Sequence, residues 1–535
     1  MKLQLESNSY SNQRPSSFGS RGAVATSQAL AAQAGLEVLK IGGNAVDAAI
    51  ATAACLTVVE PTSNGIGGDA FALVWDGNKL HGLNASGRAP QNLTKNLLEA
   101  RGHQTMPQRG WLSVTVPGAP AAWRDLHQKF GRLPFERLFE AAIDYAQNGF
   151  VVSPTVARFW QYAARNYALL EGAEFLPWQQ TFTQAGRSPQ TGEVFYLPNH
   201  AKTLRRISQT YSQDFYTGSL GQQIEDFAAQ TGGVITLEDL TRHSSTWVAP
   251  ISTNYRGYDI WEIPPNGQGI AALSALNILE GFEMAQLPRD SLESYHLQIE
   301  AMKLAFSDTL AFVADPTRAD VPTQGLLDRG YAAERRALIG EQALLPSAGQ
   351  PPKGGTVYLC TADSDGMMVS YIQSNYAGFG SGIVVPGTGI ALQNRGANFN
   401  LEPNHPNTLE PNKRPYHTII PSFLSQDQQA IGPFGVMGGY MQPQGHLQMM
   451  LNTLDYQMHP QAALDAPRWQ WLERKKIELE RQTPRHIAEG LRAKGHEVIL
   501  QLENGSFGRG QIIWRNGETL VAGTESRCDG AALVY

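Results

Sequence analysis

The residues best suited to chemistry lie in Lys353-Gly354-Gly355-Thr356-Val357-Tyr358. A threonine released as an amino terminus carries both groups that acyl transfer needs. Its hydroxyl is the nucleophile, and its α-amine, with a pKa of about 8, suits a general base near neutral pH. No histidine or aspartate partner is then required. Scission between Gly355 and Thr356 creates that terminus. The two glycines tolerate the bent backbone that brings a hydroxyl to the preceding carbonyl. On these six residues alone, a loop entering a strand is the simpler reading.

Gly438-Gly439 is a second candidate. It follows a strand expected over 432–437 and precedes a helix expected over 443–455, with Leu447, Met450, Leu451 and Leu454 on one face. Two glycine N–H groups at such a junction can point at one oxygen. As an oxyanion hole, such donors are typically worth about 3 kcal/mol each. An ordinary turn fits the same residues. Arg88, at the end of a hairpin, is either a solvated charge or a clamp for a substrate carboxylate. Ser63-Asn64-Gly65-Ile66-Gly67-Gly68-Asp69-Ala70 superficially resembles a phosphate loop. It lacks the Gly-Lys-Ser/Thr ending and follows a helix, so it reads as a tight structural turn.

The elements that must hold these residues are legible in outline. Helices are expected over 27–40 and, capped by Asn44, over 45–59. The second is apolar almost all round and should be deeply buried. A hairpin, 71–75 with 79–85, turns at Asp76-Gly77-Asn78. Pro117-Gly118-Ala119-Pro120 opens a helix, and further helices are expected over 138–148, 201–212, 215–230 and 295–314. A single strand is expected over 251–264. Pro346 to Lys353 has the composition of a linker. Beyond it, strands over 356–362 and 367–374 flank the turn Asp363-Ser364-Asp365-Gly366, which makes Thr356 the first residue of a buried strand.

With 535 residues, two domains or one large domain cut into two subunits are both open. A net charge of −6 calls for neither nucleic acid nor an anionic membrane. Cys55, Cys360 and Cys528 form no CxxC pair and imply no disulfide framework or metal site. Met1 to Ser20 is polar, without the apolar core of a secretory signal, and no run of apolar residues is long enough to span a bilayer. The expectation is a cytoplasmic protein with a flexible arm over 1–21.

Several segments together carry a resemblance. Gly42-Gly43-Asn44-Ala45-Val46-Asp47-Ala48-Ala49, Glu60-Pro61 with Gly65-Ile66-Gly67-Gly68, Thr356 with Asp363 and Asp365-Gly366, Phe379-Gly380-Ser381-Gly382-Ile383, and Pro411-Asn412-Lys413-Arg414-Pro415 occur in order over nearly the whole chain. In this the sequence resembles the γ-glutamyltransferase family. The resemblance implies an α+β fold of the N-terminal-nucleophile hydrolases, a four-layer αββα sandwich. It implies autoprocessing into a helix-rich large subunit ending at Gly355, with its ordered part over 22–355, and a strand-rich small subunit over 356–535. A dimer of such heterodimers is left open. No metal or organic cofactor is implied.

By the same resemblance, Thr356 corresponds to the nucleophile, Ser374 to the hydroxyl that tunes it, and Gly438 and Gly439 to the oxyanion pair. The substrate pocket departs from the family pattern. Asn398 stands where an aspartate receives the donor's α-ammonium, and Arg395 stands for a nearby glutamine. His417-Thr418 replaces a serine pair for the α-carboxylate. Ser86 replaces the carboxylate-binding arginine, with Arg88 two residues on, and Tyr376 replaces an asparagine. The segment from Asn398 to Pro411 is short, so the family's lid is expected to be missing.

The implied reaction cleaves γ-glutamyl amides such as glutathione through an acyl-enzyme, passing the acyl group to water or an amine. Losing a carboxylate and gaining an arginine favours an acyl group with a carboxylate and no α-amine. The alternative is therefore an acylase for glutaryl amides, like the lid-less branch that includes glutaryl-cephalosporin acylases. A noncatalytic binding homologue is a third possibility, against which the intact Gly355-Thr356 and Gly438-Gly439 pairs speak.

Overall fold

A computed structural model of the chain describes residues 14–346 and 355–535. Met1 to Gln13, the linker residues 347–353 and Gly354 lie outside the described residues, so the Lys353-Gly354 step is not placed. Ser17–Gly19, the end of the expected arm, is an edge strand paired with Thr519–Thr524.

The side-chain alternation of one strand accounts for the layering. In Asp69–Trp75, residues Phe71, Leu73 and Trp75 join one apolar cluster, and Ala70, Ala72 and Val74 join another. A strand that is apolar on both faces must be covered on both. Two seven-stranded, antiparallel sheets meet this requirement. Between them lies a core that includes Phe71, Leu73, Tyr358, Ile372, Phe423 and Ile513. Outside the sheet that contains Gly355–Asp363 pack the helices Ala29–Lys40 and Ala45–Val59. Outside the other sheet pack Ile270–Leu279, Leu292–Phe312 and Met441–Leu454. The result is the four-layer αββα sandwich.

The helix Ala45–Val59 starts where expected. The Asn44 side chain accepts from the Asp47 amide at 2.9 Å, while the Asp47 carboxylate accepts from the Asn44 amide at 3.1 Å. Every residue of this helix is buried. The single strand expected over 251–264 is two strands, Ile251–Tyr255 and Tyr258–Glu262. They reverse at Arg256-Gly257, with φ of 55° and 84°, as a two-residue hairpin requires. The helix expected over 215–230 is likewise two, Gln213–Thr217 and Ser219–Thr231, parted at Gly218. No helix among the described residues is long and apolar enough to cross a membrane.

Candidate active site

Thr356 stands at the head of a strand in the middle of its sheet. Gly355–Asp363 pairs with Met368–Tyr376 along its length. On its other side it pairs with Gly22–Thr26 only from Leu359 onward, so Thr356 projects past that neighbour. The ladder to Met368–Tyr376 slips by one residue between Gly355 and Val357. Tyr376 has φ of +73° at this slip, a conformation that a bulky residue holds only when its surroundings impose it.

The slip sets the hydroxyls. Ser374 Oγ lies 3.1 Å from Thr356 Oγ1 and accepts the Tyr376 N–H at 2.7 Å. In the pair of hydroxyls either oxygen can be the donor. Both side chains are fully buried. The glycine turn at 65–68 backs this arrangement, because a Cβ on Gly68 would come within 2.8 Å of the Ser374 carbonyl oxygen. Ser374→Ala leaves the Tyr376 amide without its Oγ acceptor and Thr356 without this hydroxyl neighbour. We expect kcat to fall roughly ten- to a hundred-fold with little change in KM, as a buried hydrogen bond of ~1–3 kcal/mol implies. Ser374→Thr keeps the hydroxyl and is expected to retain most activity; steady-state kinetics on both variants checks this.

Gly438 and Gly439, with φ of 141° and 62°, join the strand Gln429–Met437 to the helix Met441–Leu454. Their carbonyls accept from Met441 and Gln442 at the start of that helix. Neither glycine amide has an acceptor among the described residues. Gln268 fixes the turn by donating to the carbonyls of Gly439 and Thr418 at 2.9 and 2.7 Å.

Thr418 leads to the arginine. Arg395 is fully buried and donates from Nη1 to Thr418 Oγ1 at 2.7 Å. Its guanidinium lies over the Tyr376 ring at 4.5 Å. Its Nε faces Asp69 Oδ2 at 3.4 Å, and burial lowers its pKa. Arg395 Nη2, the Tyr376 hydroxyl, Asn398 Oδ1 and both side-chain polar atoms of Asn375 are buried without hydrogen-bond partners among the described residues. Buried polar atoms are normally paired. The Arg395–Tyr376 pair, joined to Ser374 through the Tyr376 amide, therefore has the chemistry of a seat for a polar, anionic group.

Asn398, His417 and Arg88 have further partners of their own. Asn398 donates to the Tyr416 carbonyl at 3.0 Å. His417 is an interior support. Its Nδ1 accepts from the Ile419 amide at 3.3 Å, so its Nε2 carries the proton and donates to Asp69 Oδ2 at 2.9 Å. Arg88 turns to Asp315 and the Asn412 carbonyl, both at 3.0 Å. It lines a 60 Å³ cavity with Arg242, His243 and Arg414 that does not include Arg395. Asp69 was missed in the sequence. It anchors both Arg395 and His417, and it is the acidic residue at the head of an otherwise apolar, buried strand.

Burial, with Arg395 and Arg414 nearby, pushes the His417 pKa down to about 4. Unfolding restores a value near 6.5, so the unfolded chain binds the extra proton as pH falls below that value. Stability is therefore full above about pH 6.5 and falls toward pH 4, by about 3 kcal/mol from this group. Thermal melts should show a Tm falling over that range, and His417→Gln should flatten the dependence.

The family described as gamma-glutamyltranspeptidase matches residues 31–535. The chain is 38% identical to a glutathione hydrolase-like YwrD proenzyme of Bacillus subtilis (strain 168), over 96% of this chain and 99% of that protein. It is 34% identical to the acylase ACY 1 proenzyme of Pseudomonas sp. (strain V22), over 96% and 93%. It superposes on the crystal structure of a cephalosporin acylase from Bacillus halodurans with a TM-score of 0.95 at 54% identity, over 99% of this chain and 98% of that one.

Proposed function

The chain belongs to the gamma-glutamyltranspeptidase family, and on that premise we propose that Thr356 is the N-terminal nucleophile of an autoprocessing amidohydrolase and acyltransferase. In the precursor, Thr356 Oγ attacks the Gly355 carbonyl. A C–O bond forms, the Gly355–Thr356 C–N bond breaks, and the α-amine takes up the released proton. Water then hydrolyses the ester, leaving the Gly355 carboxylate and a free threonine terminus. In turnover the same oxygen attacks the substrate amide while the α-amine takes its proton. The developing oxyanion meets the Gly438 and Gly439 amides. The amine leaves with the proton, and water or a second amine releases the acyl group.

Family membership supports γ-glutamyl amides as substrates. One observation favours a second donor, the glutaryl type. Arg395 is buried and its Nη2 has no hydrogen-bond partner among the described residues, whereas Asp69, its acidic neighbour, is already held by Arg395 and His417. A donor carboxylate thus finds a cation, and a donor α-ammonium finds in Asp69 a carboxylate already committed. The likeness to an acylase and a cephalosporin acylase adds support. We expect glutaryl-4-nitroanilide to exceed γ-glutamyl-4-nitroanilide in kcat/KM by about ten-fold or more, which corresponds to ~1.4 kcal/mol. Loss of turnover on removing the α-amine would overturn this preference.

The cut chains, 1–355 and 356–535, are the partners proposed for one another, since the sheet containing Gly355–Asp363 takes strands from both. The cytoplasm is the compartment proposed, on three free and buried cysteines.

A further inference from the structure

A cavity of about 280 Å³ opens beside Gly438 and Ala377-Gly378, the residues that follow Tyr376. Neither Arg395 nor Tyr376 lines it. A carbonyl held at Gly438 has two substituents, an acyl chain and a nitrogen. The reading above sends the acyl chain to Arg395, and the nitrogen substituent is left with this cavity.

Its walls are specific in chemistry. Phe159, Tyr162 and Tyr167, all from the helix Pro154–Tyr167, supply aromatic surface. Two guanidiniums border it, and they differ. Arg509 is neutralised by Glu60 at 2.9 Å. Arg109 lies over the Tyr167 ring at 4.8 Å and donates from Nη1 to the carbonyls of Ala377 and Gly380, at 3.2 and 2.8 Å. Among the described residues it has no carboxylate partner. Thr62 Oγ1, on the same cavity, is buried without a hydrogen-bond partner among the described residues, in a residue only 4% exposed. Aromatic walls, an uncompensated guanidinium and an unsatisfied hydroxyl describe a seat for a flat apolar body bearing an anion.

We propose that this cavity receives the departing amine, and that the enzyme is built for amides of flat, aromatic-sized amines carrying a carboxylate or similar anion, which Arg109 binds. The inference rests on the placement of the acyl group at Arg395. Arg109 is a specificity residue here; the bond broken and the proton carried away by the amine are those already described.

The test uses amines without any acyl group, so its result is independent of donor turnover. Ligand-observed NMR titrations of 3-aminobenzoate and of aniline are made on the processed protein. Wild type should bind 3-aminobenzoate at least ten-fold more tightly than aniline. Arg109→Gln should abolish that preference. Phe159→Ala should weaken both ligands several-fold and keep the preference, which guards against a poorly folded Arg109 variant. Arg485→Gln, a change at an 89% exposed side chain elsewhere, should alter neither. Equal binding of the two amines to wild type, or loss of the preference in Arg485→Gln, overturns the proposal. Failure of glutaryl amides to turn over, with this preference intact, would instead count against the acyl reading alone.

Discussion

Thr356→Ala is expected to yield one uncut chain of 58.4 kDa with no measurable amidase activity. Wild type should run on a denaturing gel as bands of about 39 and about 20 kDa, by share of chain length. The substitution removes the oxygen that, on this account, attacks the Gly355 carbonyl, and the account provides no second nucleophile to replace it. The nearest candidate, Ser374, has its Oγ engaged with Thr356 and the Tyr376 amide. The fold should survive. The loss is one hydroxyl and its hydrogen bonds at a buried position, a cost of about 1–3 kcal/mol. Thr356→Ser keeps both the hydroxyl and the prospective α-amine, and is expected to cut and to turn over. A Thr356→Ala protein that still separates at 355–356 would mean that another group performs the scission.

Arg395→Gln is expected to lower kcat/KM for glutaryl-4-nitroanilide by about a hundred-fold, as truncating one partner of a buried charge pair costs ~2–5 kcal/mol. Glutamine retains a donor for Thr418 but has no charge. The effect should lie mainly in KM, because the chemistry at Thr356 and Gly438 is untouched. The γ-glutamyl anilide should lose less, since its ammonium no longer meets a guanidinium. The ratio of the two donors is therefore the informative quantity. It also corrects for any stability lost when Asp69 keeps only His417 and the Gly87 amide. An unchanged donor ratio would place acyl recognition elsewhere.

How far the sequence foretold this site depends on the range of the forces at work. The helix Ala45–Val59 was legible because a capping box and an apolar run are local signals. The reversal at Arg256-Gly257 was not, because Arg-Gly is a weak turn signal between two β-prone runs. The strands of the C-terminal region, such as Arg509–Asn516 and Thr519–Thr524, gave no reading of their own and acquire their place only from the sheet. Thr356, Ser374, Gly438 and Gly439 were marked by local motif and family resemblance. The burial of Arg395, with Nη2 left over, became visible only in three dimensions. Asp69 is the plainest omission. Its partners lie 326 and 348 residues further along the chain, so nothing near it in sequence could reveal its task. Arg88 shows the opposite failure, since the sequence could not show that Asp315, 227 residues away, holds its guanidinium.

The most direct test of a terminal threonine as nucleophile is the intact mass of the purified protein during turnover of a glutaryl amide. The expected spectrum contains two polypeptides, the smaller beginning at Thr356 and carrying one glutaryl group that disappears when donor is exhausted. An active enzyme whose chain is unbroken at Gly355-Thr356, or an acyl group found on any other residue, would contradict the account.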